Sequence, residues 1–574
     1  MNIGSIIVMN YLKSLKEDAQ LDAIFPMLLH VLGYEILSTP LEFKGLSQYG
    51  KDIVAIKKDS DGIKKKFYFE LKAGDIDNSN WFKEKNGVRD TLKMTADHEF
   101  KTSYPNFEHL PKKVVLVFNG MVNKSVKDIY DCFIEKEFIK RDTEFEEWNI
   151  YKLTELFNEN LFDTFLLADD VSTKLFNRVL VNLNSFDGVS RDFEELTHKI
   201  LNRQEWVGYS KSLPREWDRC FQSIRLIALI IYNESLEYNN LDIAKRYITT
   251  LIVIYWSWIL KHKLEEDQVV LNYFKEIYLF YYNILSDYLE RTQDITKLRG
   301  GLSSELIGSY EQVGYTARTM NYIQNLCFVL NFEKYANGKD AINSKINTLY
   351  DVIKNNDVSG RPIIDIHSIP IIDVLNLLIE FEQIEKAKEY LRTVIGHLKY
   401  GKNVYDKLPN ANNNLKSVIK LEVTGEKSIY YSDSTSPLLA VLFEYLVIFD
   451  MKEEYNHIRD FVKSKDIDLG IFIPHHGLNS KSKHLIRNKE MDLEEILFSG
   501  YFNEGYQSQI TLTKGSGQLL SFEEYKEELM SNIQEFEYDY RSEKVGFGFL
   551  NDLAHQFYKT PYFPDKWRFH LEKK

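Results

Sequence analysis

The sequence predicts an α/β domain over residues 1–165, followed by a large all-α domain built of helical hairpins. Three observations carry that reading. Strand-like and helix-like runs alternate up to about residue 165. Beyond residue 200 the strand signal fades and long helical patterns take over. A chain of 574 residues also exceeds the roughly 250–300 at which a single core stops growing.

The elements of the first domain follow in order. An apolar segment ends at Gly33-Tyr34. Two β-type runs come next, Asp52 to Ile56 and Lys66 to Lys72, joined by the turn cluster Asp59-Ser60-Asp61-Gly62, so residues 52–72 read as a hairpin. A polar helical stretch lies around Trp81 to Phe100. Lys113 to Phe118 reads as a buried strand closed by Asn119-Gly120, and Trp148 to Tyr151 as a weaker last strand before a short helix. Residues 166–205 are expected as a linker, 206–470 as the helical domain and 471–574 as a mixed C-terminal region.

Composition bounds what such a chain can do. Hydrophobic residues at 44% and charged residues at 27% exclude disorder over most of the length. The formal charge of −13 is wrong for a protein that coats duplex nucleic acid, so nucleic-acid work must rest on a local patch, a metal or a partner. Cys132, Cys220 and Cys327 are far apart and form no Cys-x-x-Cys pair. That excludes a disulfide framework or structural zinc cluster and leads us to expect a cytoplasmic protein. The first residues lack the basic segment of a signal peptide. The longest apolar run, Ile248 to Leu260, is 13 residues, short of the ~20 needed to cross a bilayer; a buried helix and no membrane partner are expected.

The chemistry-bearing pattern lies between residues 50 and 72. With the turn centred near Asp61, antiparallel pairing sets Asp52 opposite Glu70, with Cβ atoms ~4.5–5.5 Å apart, a spacing at which two carboxylates can hold one hard cation. Lys72, two residues beyond Glu70, shares its face, while Phe67, Phe69 and Leu71 line the apolar face. The backbone carbonyl of Leu71 offers a further oxygen ligand. Carboxylate-held Mg²⁺ neutralises phosphate charge and acidifies a bound water, and a lysine beside it stabilises a pentavalent transition state. That set of groups suits phosphodiester hydrolysis.

Gly50-Lys51-Asp52, seventeen residues, then Glu70-Leu71-Lys72 resembles the core motif of the PD-(D/E)XK nuclease superfamily, in the style of Mrr-like restriction endonucleases. The upstream segment Leu21 to Tyr34, with its Gly-Tyr ending, is similar to the helix that leads into the first strand of those enzymes. The resemblance covers residues 15–160. It implies a restriction-endonuclease-like mixed sheet flanked by helices, Mg²⁺ or Mn²⁺ as cofactor, Asp52 and Glu70 as metal ligands, Lys72 as a catalytic residue and Asp22 as a second-tier ligand. DNA is expected over RNA on this resemblance alone.

Other signals leave alternatives open. Lys85, Arg89 and Lys93 recur at helical spacing and read either as a nucleic-acid-binding face or as an exposed helix face. Lys57-Lys58 and Lys64-Lys65-Lys66 make a basic hairpin tip about 8 residues, or ~26 Å, from the acids; it reads as solvated, with phosphate contact as the alternative. His475, His476 and His484 lack a usual zinc spacing, and Lys481 to Arg487 reads as a solvated loop or a small nucleic-acid patch. No phosphate-binding Gly-x-x-x-x-Gly-Lys-Ser/Thr occurs.

Within the helical domain, Ala244-Lys-Arg-Tyr-Ile-Thr-Thr-Leu-Ile252 matches Ala387-Lys-Glu-Tyr-Leu-Arg-Thr-Val-Ile395 at most positions, and Leu438 to Val462 repeats the helix–turn–helix shape without the letters. This is similar to a degenerate tetratricopeptide-like array, with a non-repetitive helical domain as the alternative. The fusion as a whole resembles gated nuclease effectors of prokaryotic anti-phage or anti-plasmid defence, with a protein partner or self-assembly through the helices. A helical interaction scaffold carrying an inactive nuclease fold, and an RNA-directed nuclease, are the alternatives.

Overall fold

The computed structural model describes residues 8–9, 11–13, 15–39, 51–83, 87–166, 170–185, 188–304, 309–411, 413–428, 431–469, 494, 497–498, 513–514, 518–531, 540–559 and 566–571. The chain divides into two compact units, residues 1–251 and 252–574.

The first unit is built on a five-stranded mixed sheet in the order β1-β2-β3-β4-β5: Glu35–Ser38, Ile53–Lys58, Lys64–Lys72, Lys112–Phe118 and Glu144–Trp148. Strands β1, β2 and β3 are antiparallel neighbours, whereas β3, β4 and β5 run parallel. The change of sense follows from the connections. A tight turn closes β2 onto β3, with Gly62 in the left-handed region at φ 84° and the Ile63 N–H held by the Asp61 carboxylate at 2.8 Å. Long connections containing helices return the chain from β3 to β4 and from β4 to β5, as parallel pairing requires.

Strand β3 is central and buried on both faces. On one side Phe69 meets Phe25 of helix α1 (Asp22–Val31) edge-on at 5.5 Å. On the other, Tyr68 joins a core with Val88 and Leu92 of α2 (Val88–Asp97) and Tyr130 and Ile134 of α3 (Lys127–Glu137). The face carrying Glu70 is therefore covered by protein, where the sequence pattern marked only the Phe67-Phe69-Leu71 face as core.

Residues 166–205 are not a linker. Beyond α4 (Ile150–Phe157) they contain helices α5 (Asp170–Asn182) and α6 (Arg191–Leu201), and α7 (Arg215–Glu237) packs against α1. The physical reason lies in α1, whose Ile24, Phe25, Met27, Leu28, Leu29 and Val31 are all buried. A helix apolar around most of its circumference needs cover on the side away from the sheet. The first unit thus extends past 165 and past 206, into helix α8 (Leu241–Lys261). That helix holds the apolar run Ile248 to Leu260 almost entirely buried. Among the described residues no helix is long and apolar enough to cross a membrane.

The second unit is a large helical assembly. Three helix–turn–helix corners along the chain share one geometry, the first of them in the first unit and the other two in the second. Asn239, Glu382 and Asp450 all take positive φ (48°, 57° and 56°). In each corner the next N–H bonds a carbonyl five residues back: Asn240 to Ser235, Gln383 to Leu378 and Met451 to Leu446. This paired closure satisfies the last carbonyls of each leading helix. Five residues after each corner come Ala244, Ala387 and Tyr455, all fully buried. The sequence match of the first two corners is structural, and the third keeps the geometry with a large side chain at the matching place.

Candidate functional site

The hairpin register builds the site. Ile53 faces Phe69, Val54 faces Tyr68 and Ala55 faces Phe67, so one further step sets Asp52 beside Glu70, as the turn centre implies. Asp52 itself bends away from the ladder. Its N–H donates to the Phe69 carbonyl at 2.9 Å, and its Oδ2 accepts the Leu71 N–H at 2.7 Å. The N–H and C=O of one strand residue leave by the same edge, so the Leu71 carbonyl also faces the Asp52 side, where β2 has ended. Lys72 Nζ lies 2.8 Å from Glu70 Oε1 and 3.2 Å from Glu17 Oε1. Asp52, Glu70, Leu71 and Lys72 are thus brought together.

Burial sets the electrostatics. It pushes the Glu70 carboxyl up to about 8, with the Asp52 charge adding and Lys72 opposing. It pushes Asp52 up to about 6 against the pull of Lys72 and the Leu71 N–H, with Glu17 and Asp22 adding to the rise. For Lys72, burial works to lower its value, but the Glu70, Asp52 and Glu17 carboxylates outweigh it and hold the ammonium above its ordinary range. Asp22, in the first turn of α1, therefore acts on Asp52 through its charge.

Several residues of this site escape a reading by spacing. Glu17 opens a single π turn, Glu17–Leu21, ahead of α1. The chain leading to it is anchored by buried Asn119, whose Nδ2 donates to the Leu12 and Leu15 carbonyls, both at 2.7 Å. Thr91 of α2 is turned toward Glu70, with its hydroxyl within hydrogen-bond distance of the Gly87 and Val88 carbonyls. Lys51 is only 2% exposed, and burial lowers it to about 8. No signal in the letters ties Glu17, Thr91 or Asn119 to residue 70, because each arrives from a separate element.

The structure does not bring the basic candidates to this site. Arg89 and Lys93 are exposed, two residues to either side of Thr91. At ~100° per residue they lie on the far side of α2 from the face turned to Glu70; the helix buries Val88, Thr91, Leu92 and Thr95 instead. Lys85 lies outside the described residues, as do Gly50, His475, His476, His484 and Lys481 to Arg487. At the hairpin tip, Lys65 is buried and ion-paired to Asp59 at 3.0 Å and Glu144 at 2.6 Å, and Lys66 to Glu99 at 3.0 Å. That part of the tip is neither solvated nor open to phosphate, because neighbouring acids enclose it.

The donor set fits a hard divalent cation. Glu70 Oε2 is buried and accepts no hydrogen bond, and the Asp52 charge acts on the same carboxyl. Among the described residues no group of three or more His, Cys, Asp or Glu forms a closed metal cage. Mg²⁺ does not need one, since it is usually held by one or two carboxylates and keeps several waters. Comparison with protein-family models, curated proteins and solved structures finds no match for this chain.

Proposed function

We propose that the first unit is a metal-dependent endonuclease of the PD-(D/E)XK type that hydrolyses DNA phosphodiester bonds. The observation that carries this reading is the convergence of Asp52, Glu70 and Lys72 at the mouth of one hairpin, with Leu71 N–H locked to Asp52 at 2.7 Å and Lys72 on Glu70 at 2.8 Å. Asp52, Glu70 and the Leu71 carbonyl would hold Mg²⁺ or Mn²⁺, which would supply charge neutralisation at phosphate and an acidified water. Lys72 contributes a fixed positive charge beside the scissile phosphate, and its pairing with Glu70 orients the ammonium before substrate arrives. DNA rather than RNA rests on the family resemblance alone.

We also propose that the enzyme is a gated effector of prokaryotic defence. Two facts support gating: Glu70 is 1% exposed, and Glu17 competes for the Lys72 ammonium. A phosphodiester reaches Glu70 only if this cover moves. The test is purified protein with plasmid, linear DNA and RNA, in Mg²⁺ or Mn²⁺ against EDTA, beside Asp52→Asn. Cation-dependent nicking by wild type and none by the variant is expected. Absence of cleavage of any substrate, with or without phage-infected cell extract, would overturn the reading and leave the helical scaffold.

A further inference from the structure

The second unit contains an open cavity of about 650 Å³, within the ~300–1,000 Å³ typical of small-molecule sites. Its walls are aromatic: Tyr278 from helix α9 (Gln268–Thr296), Phe332 and Tyr335 from α10 (Ser309–Asn337), and Phe547. Tyr335 is 71% exposed yet has a fixed seat. Gly546 (φ 85°) lies beneath it, and a Cβ there would meet the ring at 2.3 Å.

The floor is charged and incompletely satisfied. Asp373 of α11 (Ser368–Glu380) and Asp552 of α12 (Phe549–Tyr558) line it at 6% and 1% exposure. Asp373 Oδ2 and Asp552 Oδ1 are buried and accept no hydrogen bond. Two of the lysines that line the cavity are already engaged: Lys566 lies 3.2 Å from Asp552 Oδ2 and 3.0 Å from the Gly548 carbonyl, and Lys334 lies 2.6 Å from Glu380; Lys275 also stands in the wall. Burial first, then the Asp552 charge, pushes the Asp373 carboxyl well above the usual range. A buried acceptor left unpaired is costly, and here two of them belong to residues that line one cavity.

We propose that this cavity binds a small planar heterocycle or aromatic that presents adjacent N–H donors to Asp373 and Asp552, the chemistry shared by a guanine edge and an aromatic amidine. The rings accept the flat body, and the orphaned carboxylate oxygens accept its N–H groups. A site built to hydrogen-bond donors rejects an isostere that lacks them, because its acceptors are then left unpaired. The assignment is independent of the nuclease reading.

The test is calorimetric titration of the full chain with guanosine and inosine, and with benzamidine and its anionic isostere benzoate. Guanosine binding above inosine assigns a nucleobase, benzamidine binding above benzoate assigns an amidinium, and either supports the site. Asp373→Asn should weaken the bound probe about tenfold or more. Ala336→Trp, on the exposed rim, should block the mouth with the melting temperature unchanged, which keeps the test open if the Asp373 variant fails to fold. The proposal is overturned if neither guanosine nor benzamidine binds at millimolar concentration, if benzoate and inosine bind as well as their partners, or if binding survives Ala336→Trp.

Discussion

The backbone N–H of Leu71 donates to Oδ2 of Asp52 across 2.7 Å, and this bond couples the end of one strand to the residue between Glu70 and Lys72. Asn at position 52 keeps an oxygen for that N–H but loses the charge. Asp52→Asn should therefore fold normally and lose metal-dependent cleavage, and Glu70→Gln should do the same. Thermal melts beside a plasmid-nicking assay check both. Nicking at wild-type rate by either variant would remove the proposed metal site.

Lys72 separates catalysis from binding. Lys72→Ala should slow cleavage roughly 10²–10³-fold, the scale for removing one preorganised donor. DNA affinity should change far less, since one charge among several phosphate contacts adds little. Single-turnover rates beside filter-binding isotherms measure the two effects separately. A scaffold predicts the reverse: full biological activity in Lys72→Ala and loss on disrupting helices beyond residue 200.

The helical corners make a packing prediction. Ala244 and Ala387 are fully buried, so Leu at either should overpack its surroundings by about 1–3 kcal/mol. Tyr455, at the matching place in the third corner, is ringed by Phe443, Phe522 and Tyr525. Tyr455→Ala should lose about 3–5 kcal/mol, the range for emptying a large aromatic site. Urea unfolding reads all three.

Glu382 holds φ 57°, a conformation that costs a side-chain-bearing residue ~1–2 kcal/mol. Gly accepts it freely but is looser when unfolded, so Glu382→Gly should gain about 0.5–1 kcal/mol net. A lower melting temperature in this variant would show that the Glu382 side chain stabilises the corner in some other way.

Asp365 gives a pH dependence with a definite sign. Burial raises its carboxyl from 3.8 to about 7, so the folded state holds this proton more tightly than the unfolded chain. Stability from this group falls as pH rises from 3.8 to about 7, and the full cost stands above that. Asp365→Asn should therefore stabilise the protein by roughly 1–4 kcal/mol at pH 8 and much less at pH 4.5. Melts at the two pH values decide it; equal shifts at both would show that Asp365 does not titrate in this way.

The hairpin register was legible because the turn cluster and the alternation of Phe67, Phe69 and Leu71 leave one pairing that keeps those residues inward. The burial of Glu70 was not, since whether a helix covers the second face depends on where Val88 to Asp97 lands. The faces of that helix are the same case: Arg89 and Lys93 are visible as a basic pair, but only Thr91 turns toward the site.

By itself the sequence determined the alternation of strands and helices, the Asp52–Glu70 pairing, the buried helix at 248–260 and the kinship of the corners before Ala244 and Ala387. All of these rest on interactions between residues near in the chain or on a short period repeated along it. Tertiary structure decided the rest: that helices Asp170–Asn182 and Arg191–Leu201 belong to the first unit, that Glu17 and Asn119 reach the strand ends, that Lys65 is enclosed by Asp59 and Glu144, and that Asp373 and Asp552 line one cavity. Those relationships join residues far apart in sequence. They arise because apolar faces such as that of α1 must be covered, and the covering elements carry polar side chains to places that no local pattern specifies.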